Sequence, residues 1–519
     1  MYSEKSGRGE WDFRVRFFRE RQVSTMSFRS VMEPIFARLP AVARPEKQVL
    51  FKNKIMWTLA ILALYFVLSN IPLFGMSAES IDLFAHYRAF FAGATGSLIV
   101  LGIGPIVTAS IILQLLVGGD IIHLDLSNPR DQSYFQGAQK FLVFIMIILE
   151  TLPQLFGYIK PDSALAAALG VDTWVVTAFL FIQICIGGVL IMYMDEVVSK
   201  WGIGSGISLF IVAGVSQSII TGLINWLPDS TGYAIGIIPR WIQHISRGDI
   251  GLMFSSADNI LNYVLISGGV LALITTVIIF AVVVYVESVR IEIPLSHTSV
   301  RGARGKFPVK LIYASVLPMI LVRALQANIQ LIGVLLYGRG ITFLGEYSGS
   351  TPVNGIMYYL SSINSPSDWI PSLVEANYAA MGFTAPAIWQ IALHVGVDAF
   401  LLVAGGIIFA LFWIETTGMG AKQTAKKIYN SGMQVPGFRN NIASIEKYMQ
   451  RYIPKVTIIG GAFIGLLTLF ASLLGTVGSA GGTGLLLTVS IVYRLYEDLA
   501  SEQLMEMHPM LRSFLGKDD

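Results

Sequence analysis

Three ionisable residues, Glu150, Arg323 and Asp398, stand inside long apolar stretches of the chain. A charge at the centre of a bilayer costs about 2.5–3.5 kcal/mol on insertion scales, so such residues are functional candidates by default. Coupling transport to ions would require a denser set of carboxylates or histidines. Asp398 and His394 lie toward the end of their stretch and are expected to be wet. The histidines (His86, His123, His244, His297, His394 and His508) show neither a His-Glu-x-x-His pattern nor zinc-ligand spacing. Gly206-Ile207-Ser208-Leu209 fits the loose pattern of an intramembrane serine protease. One fixed polar position in four recurs often by chance. Gly305-Lys306 is followed by Phe307, where a phosphate loop needs Ser or Thr. The expectation is a protein that is not an enzyme, carries no cofactor and no metal, and whose work is powered elsewhere.

The elements that hold these residues follow from composition. The chain has 519 residues, 54% hydrophobic and 13% charged, against about 25% charged in an ordinary soluble domain. So few charges cannot cover so much apolar surface in water. A cytosolic enzyme, a disordered chain and a coiled coil are excluded, leaving a protein dissolved in lipid. A membrane helix needs about 20 apolar residues. Ten such runs are present: 55–74, 98–117, 141–159, 174–194, 207–226, 263–286, 312–337, 392–414, 456–474 and one from 481. Arg494 interrupts the last, and Leu495, Tyr496 and Leu499 can continue it into the interface. The single cysteine, Cys185, excludes an intrachain disulfide.

With the N-terminus placed inside, the ten spans put 30 Lys/Arg on the inner side and 5 on the outer, with Arg323 within a span. That asymmetry predicts both termini in the cytoplasm. Five spans precede the external loop 228–262 and five follow it. An odd count turns the second set upside down, as in inverted-repeat transport proteins. The expected organisation is a basic cytoplasmic segment 1–54, an N-terminal half 55–227, a C-terminal half 263–499 with cytoplasmic loops 287–311 and 415–455, and a cytoplasmic tail 500–519. The fold class is an all-α polytopic membrane protein in two inverted five-helix halves.

Small residues crowd the entry to the second span (Ala85, Ala89, Ala92, Gly93, Gly96, then Gly102, Gly104 and Pro105), and glycines crowd 202–206 and 478–484. Irregular backbone at membrane depth survives where it is buried in protein or lines a cavity. Two loops are basic: Arg301, Arg304 and Lys306 in one, and Lys422, Lys426, Lys427, Arg439, Lys447, Arg451 and Lys455 in the other. They suit an anionic surface such as lipid headgroups or structured RNA, which is bound mainly through phosphate and shape.

Five strings carry a resemblance: Gly102-Ile103-Gly104-Pro105, Gly204-Ser205-Gly206-Ile207, Ala327-Asn328-Ile329-Gln330, Glu415-Thr416-Thr417-Gly418 with Gly437-Phe438-Arg439, and Gly481-Gly482-Thr483-Gly484. In order and at these spans, they resemble the SecY family of protein-conducting channels, in its archaeal form, over about residues 45–510. The resemblance implies a central hourglass pore and a ring of apolar side chains at Ile103, Val107, Ile207, Ile211, Ile320 and Leu487. Within the second and fifth spans the pairs are spaced i, i+4, on one helix face. An apolar constriction blocks ions by dewetting. It also implies a plug at 85–96 (Ala85, Ala89, Ala92, Gly93, Gly96) and a polar lateral-gate cluster of Thr108, Glu150 and Asn328. Ribosome-docking contacts are implied at Arg301, Arg304, Lys306 and Arg439. The implied function is the central subunit of the Sec translocase in the plasma membrane. It would pass unfolded polypeptides through the pore and release membrane segments sideways into lipid. The implied partners are two small single-span subunits of the SecE/gamma and beta types, the ribosome, signal sequences and nascent chains, and membrane lipid. Residues 1–25 depart from the family pattern, and Arg323 has no counterpart in it. A secondary transporter with inverted repeats, lined by Glu150, Arg323 and Asn328, is the competing reading.

Overall fold

The structure is a computed structural model. It describes residues 32–507 apart from 37, 48, 78–79, 81–90, 119–120, 123, 125–127, 158, 230–231, 257–259, 267, 298–303, 313–315, 350, 437–440 and 479–480. Ten helices answer to the ten apolar runs: α1 (Phe51–Ser69), α2 (Gly104–Gly118), α3 (Pro129–Gly157), α4 (Thr173–Trp201), α5 (Gly206–Ile224), α6 (Val270–Ser288), α7 (Leu317–Gly338), α8 (Ile388–Thr416), α9 (Ile442–Leu474) and α10 (Gly481–Met507). Eight are long and apolar enough to cross a membrane; α2 is apolar but has 15 residues. The tenth helix runs through Arg494 without a break. The protein is a multi-pass membrane protein. Its outside is greasy: Trp57, Phe179, Val277 and Phe400 are exposed. Water would penalise such a surface and lipid does not.

Two boundaries differ from the apolar runs. The sixth helix begins at Val270, preceded by a wider helical turn, Ile260–Ile266. The ninth begins at Ile442 rather than near 456. At 33 residues it is about 50 Å long, against roughly 30 Å of hydrocarbon. Its first turns therefore project from the membrane, and the run of apolar residues marked only the embedded part.

Helix packing repeats with a period of five. In the first half α1 packs on α4 and α5, α2 on α3, α3 on α4 and α4 on α5. In the second half α6 packs on α9 and α10, α7 on α8, α8 on α9 and α9 on α10. The halves are thus equivalent in packing, although the sequences show no such likeness. They meet along two seams. On one, α2 faces α7 and α8, and α3 faces α7; on the other, α10 faces α5 and α1.

Among the described residues five strands accompany the helices: β1 (Arg290–His297), β2 (Arg304–Lys310), β3 (Tyr347–Ser348), β4 (Thr351–Pro352) and β5 (Met433–Gln434). The first two form an antiparallel hairpin, with Arg290 opposite Lys310 and Ser296 opposite Arg304. The far end of β1 also pairs with β5, Ser296 opposite Gln434. The two basic loops are therefore one folded body rather than separate loops. Ile293, Leu295 and Val309 from the hairpin bury against Ala425 and Ile428 of the helix Ala421–Asn430 and against Ile445, Met449 and Ile453 of α9. The last three recur every fourth residue, which places them on one helix face.

Candidate functional site

The segment expected to form the seal is built around an irregular turn. Gly102 has φ +56°, and a Cβ there would lie 2.1 Å from the Phe91 carbonyl oxygen. Only glycine lets residues 91–93 approach so closely. The Ile103 amide donates to that carbonyl at 2.7 Å, and Leu73 N donates to Gly96 O at 2.8 Å. The Tyr65 hydroxyl donates to Ala92 O at 3.1 Å, and the Tyr65 ring stacks on Phe210 with centroids 5.2 Å apart. Segment 91–96 is thereby tied to α1 and to the start of α2.

Ile103, Val107, Ile211, Ile320 and Leu487 are buried in one contiguous apolar cluster that also contains Ala92. The partly buried Ile207 packs against that cluster. Its placement depends on α4. The Asp195 carboxylate accepts the Ile207 amide at 2.9 Å, and a Cβ on Gly206 would lie 2.5 Å from Asp195 Cα. Ala85 and Ala89 lie outside the described residues.

A polar pocket opens on the seam between α2, α3 and α7. Asn328 Nδ2 donates to Thr108 Oγ1 at 3.4 Å, and the Thr108 hydroxyl donates to Gly104 O at 3.0 Å. Thr108, Glu150 and Asn328 line a common cavity of about 30 Å³, room for about one water molecule. Gln154, one helical turn after Glu150, lines it too. Glu150 Oε1 and Gln154 Oε1 are buried without a partner among the described residues. The sequence reading missed Gln154, and its i, i+4 spacing from Glu150 was the available signal.

Arg323 belongs to a second, separate constellation. It is 1% exposed. Nη1 donates to Gln326 Oε1 at 2.8 Å and to Asp398 Oδ1 at 3.1 Å; Nε donates to Thr483 at 3.1 Å and Nη2 to Ser472 at 3.3 Å. Gln326 Nε2 also donates to Asp398 Oδ1 at 3.0 Å. Asp398 and His394 are buried, so the expectation that they are wet is wrong. Position along a run says nothing about the helices that cover it, and here α7, α9 and α10 supply the partners of Asp398 and Arg323. The network joins all four helices α7–α10. Ile320 lies one turn before Arg323 and Leu487 one turn after Thr483, so it sets where those two side chains stand. Arg323 does not line the Glu150–Asn328 cavity, and the midplane site required of a transporter is not assembled from these three.

The basic body presents its charges outward. Lys422, Lys427, Lys447, Arg451 and Lys455 are exposed. Lys306 is exposed and paired with Glu292. Arg304 pairs in β2 opposite Ser296, and Arg301 and Arg439 lie outside the described residues. The helices that carry the exposed set pack together through their apolar faces, which sequence could not show.

Two five-helix halves equivalent in packing, an apolar cluster that takes in Ala92 of a small-residue segment, and a polar seam define a polytopic helical membrane protein of the channel type. The pattern of the SecY family matches residues 97–496, and that described as the plug domain of Sec61p matches residues 64–96. The protein translocase subunit SecY of Archaeoglobus fulgidus is 58% identical over 489 residues, 94% of this chain and 98% of that protein. A solved structure described as that of a protein conducting channel superposes with a TM-score of 0.75 at 39% identity, covering 92% of this chain and 98% of the other. Sec61 in the canine ribosome-channel complex from the endoplasmic reticulum gives 0.72 at 39% identity, with the same coverage. The chain belongs to the SecY family.

Proposed function

We propose that this chain is the channel-forming subunit of a protein translocase. It passes unfolded polypeptides between its two halves and releases apolar segments into lipid through the seam of α2, α3, α7 and α8. The observation that carries the reading is the apolar cluster shared by Ile103, Val107, Ile211, Ile320 and Leu487 with Ala92 of the small-residue segment. Side chains of α2, α5, α7 and α10 lie in that cluster, and no covalent link resists their parting. An apolar constriction excludes ions by dewetting yet deforms around a chain. The matched plug pattern over residues 64–96 supports assigning 85–96 as the displaceable stopper.

The polar pocket of Thr108, Glu150 and Asn328 is the gate's wettable point. A seam holding one unpaired carboxylate oxygen parts more easily than a dry one. The basic body at the ends of α8 and α9 is the docking face for the ribosome, and the likeness to Sec61 in the canine ribosome-channel complex supports that partner. Arg301, Arg304, Lys306 and Arg439 supply contacts there, with Lys422, Lys427, Lys447 and Arg451 added. Two small single-span subunits of the SecE/gamma and beta types complete the assembly. The termini and loops 287–311 and 415–455 are cytoplasmic, in a plasma membrane. Energy comes from the ribosome.

A photocrosslinker at Ile207 or Leu487 should capture a stalled nascent chain, while one at lipid-facing Phe179 should not. Equal capture at all three positions would refute passage through the cluster.

A further inference from the structure

The stretch that joins α5 to α6 contains an 11-residue helix, Ile237–Arg247, about 16 Å long and too short to cross a bilayer. Two hydrogen bonds fix its level. Gly236 N donates to Asn225 O at 2.8 Å, directly after α5, and Trp241 Nε1 donates to Gly268 O at 2.9 Å, just before α6. A Cβ on Gly236 would lie 2.5 Å from Asn225 N, so the approach to α5 is close. The helix therefore lies where two spans end. The basic body begins at the other end of α6, where β1 follows Ser288, so the two stand at opposite ends of that span.

The helix is turned the wrong way for water. Its spacing puts Arg240, Gln243, His244 and Arg247 on one face and Ile238, Ile242 and Ile245 on the other. The polar face is the covered one. Arg240 Nε donates to Ala234 O at 2.8 Å, and Gln243 Oε1 accepts the Ala234 amide at 2.7 Å. The His244 ring stacks on Tyr233 with centroids 4.2 Å apart, and the Arg247 guanidinium lies 4.4 Å from the same ring. The apolar face is the open one: Ile238, Ile242 and Ile245 are 50%, 47% and 60% exposed.

That face continues a surface that already belongs to the membrane. Ile224, at the end of α5, and Trp226 and Leu227 just after it are exposed as well, and tryptophan favours the membrane–water boundary. Ile237 and Arg240 line a cavity of about 580 Å³ beside α5, whereas the three isoleucines do not line it. They therefore point away from the interior of the protein. A short helix with one apolar and one cationic face suits the plane of the headgroups, with its apolar side sunk toward the acyl chains. Arg247, exposed at its end, can lay its stem on lipid and keep its charge at the phosphates.

We propose that the helix Ile237–Arg247 is an interfacial lipid anchor, seated by Ile238, Ile242 and Ile245 in the leaflet opposite the basic body. It holds at the membrane surface the stretch of chain that joins the two halves. The lipid contact does not depend on the translocation reading.

The test is spin-label accessibility in the intact membrane complex, in nanodiscs of phosphatidylcholine and phosphatidylglycerol. Ile238→Cys, Ile242→Cys and Ile245→Cys are made singly in a Cys185→Ser background and labelled with a nitroxide. Phe179→Cys serves as the lipid reference and Lys447→Cys as the aqueous one. The expected result is relaxation by oxygen rather than by a water-soluble nickel chelate at all three positions, as at 179. Relaxation by nickel as strong as at 447 would overturn the proposal, because the face would stand in water. Protection from both reagents would overturn it too, because a protein surface would then cover the face. As a second measurement, replacing all three isoleucines by Gln should make trypsin cleavage after Arg247 severalfold faster in nanodiscs, and an unchanged rate would count against lipid seating.

Discussion

Asp398→Asn offers the sharpest probe of the Arg323 network. The substitution keeps the size of the side chain and removes its charge. Arg323 then retains only neutral partners, Gln326, Thr483 and Ser472, at 2.8, 3.1 and 3.3 Å. Both members of the pair are essentially shielded from solvent, at 1% and 0% exposure. Removing one partner of a buried ion pair destabilises by about 3–5 kcal/mol, because an uncompensated charge remains. The double variant Arg323→Met, Asp398→Leu removes both charges. It leaves Gln326, Thr483 and Ser472 short of a partner at about 1 kcal/mol each. It should therefore be no less stable than Asp398→Asn alone, and the two sites should depart from additivity by about 3 kcal/mol. Unfolding in mixed micelles with rising SDS, followed by tryptophan emission, measures this. Conductance gives a second readout, because Ile320 and Leu487 sit one turn from the network. If about 1.4 kcal/mol of the loss falls on the closed arrangement alone, the open population rises about tenfold. Wild-type midpoints and conductance in both Asp398→Asn and Arg323→Met would refute the reasoning, since they would mean that water reaches the pair.

Replacing Ile103, Ile207 and Ile320 together by Asn should make resting channels leak ions in planar bilayers, and unchanged conductance would remove them from the constriction. Gly102→Ala places a Cβ 2.1 Å from the Phe91 carbonyl at a left-handed φ. The backbone term alone is about 1–2 kcal/mol, so the 91–96 segment should loosen, with faster proteolysis between residues 85 and 96 than in wild type. Converting Thr108, Glu150 and Asn328 to Val, Leu and Leu dries the seam; translocation should then demand a more hydrophobic signal sequence, and an unaltered hydrophobicity threshold would count against a gating role. Charge reversal at Arg304 and Arg439, extended to Lys427 and Lys447, should weaken ribosome co-sedimentation at moderate salt, with the smaller loss from Lys306, which Glu292 already pairs. Equal sedimentation of all variants would place docking elsewhere.

The apolar runs sufficed to place ten helices, because a bilayer imposes length and composition on every segment that crosses it. They also sufficed to bring Glu150 forward, since ionisable residues in such runs are few; Thr108 and Asn328 came only from the family resemblance. Motif order then named six apolar residues, of which five fall in the same apolar cluster as Ala92 and the sixth, Ile207, packs against it. The limits of reading along the chain lie where two distant segments meet. Five-helix equivalence is a property of packing, and residues that merely fill space leave no common pattern in the two halves. The joining of β1 to β5 depends on hydrogen bonds between segments well over a hundred residues apart. The first turns of α9 are amphipathic rather than apolar, so the lipid-soluble run begins well after the helix does.

Arg323 marks the division between the two kinds of information. Its sequence position says only that a cation lies in a span and needs compensation, because hydrocarbon offers none. Which groups compensate it is decided by how α7, α8, α9 and α10 pack, and those partners lie between 3 and 160 residues away. The same holds for His394 and Tyr358, which are buried although they lie far apart in sequence, because the segment between α7 and α8 packs its Tyr358 ring 4.5 Å from the His394 ring of α8. Sequence determined which residues must leave water and which need a partner; tertiary structure decided which partner each one found, because hydrogen bonds and contacts depend on proximity in space and not along the chain.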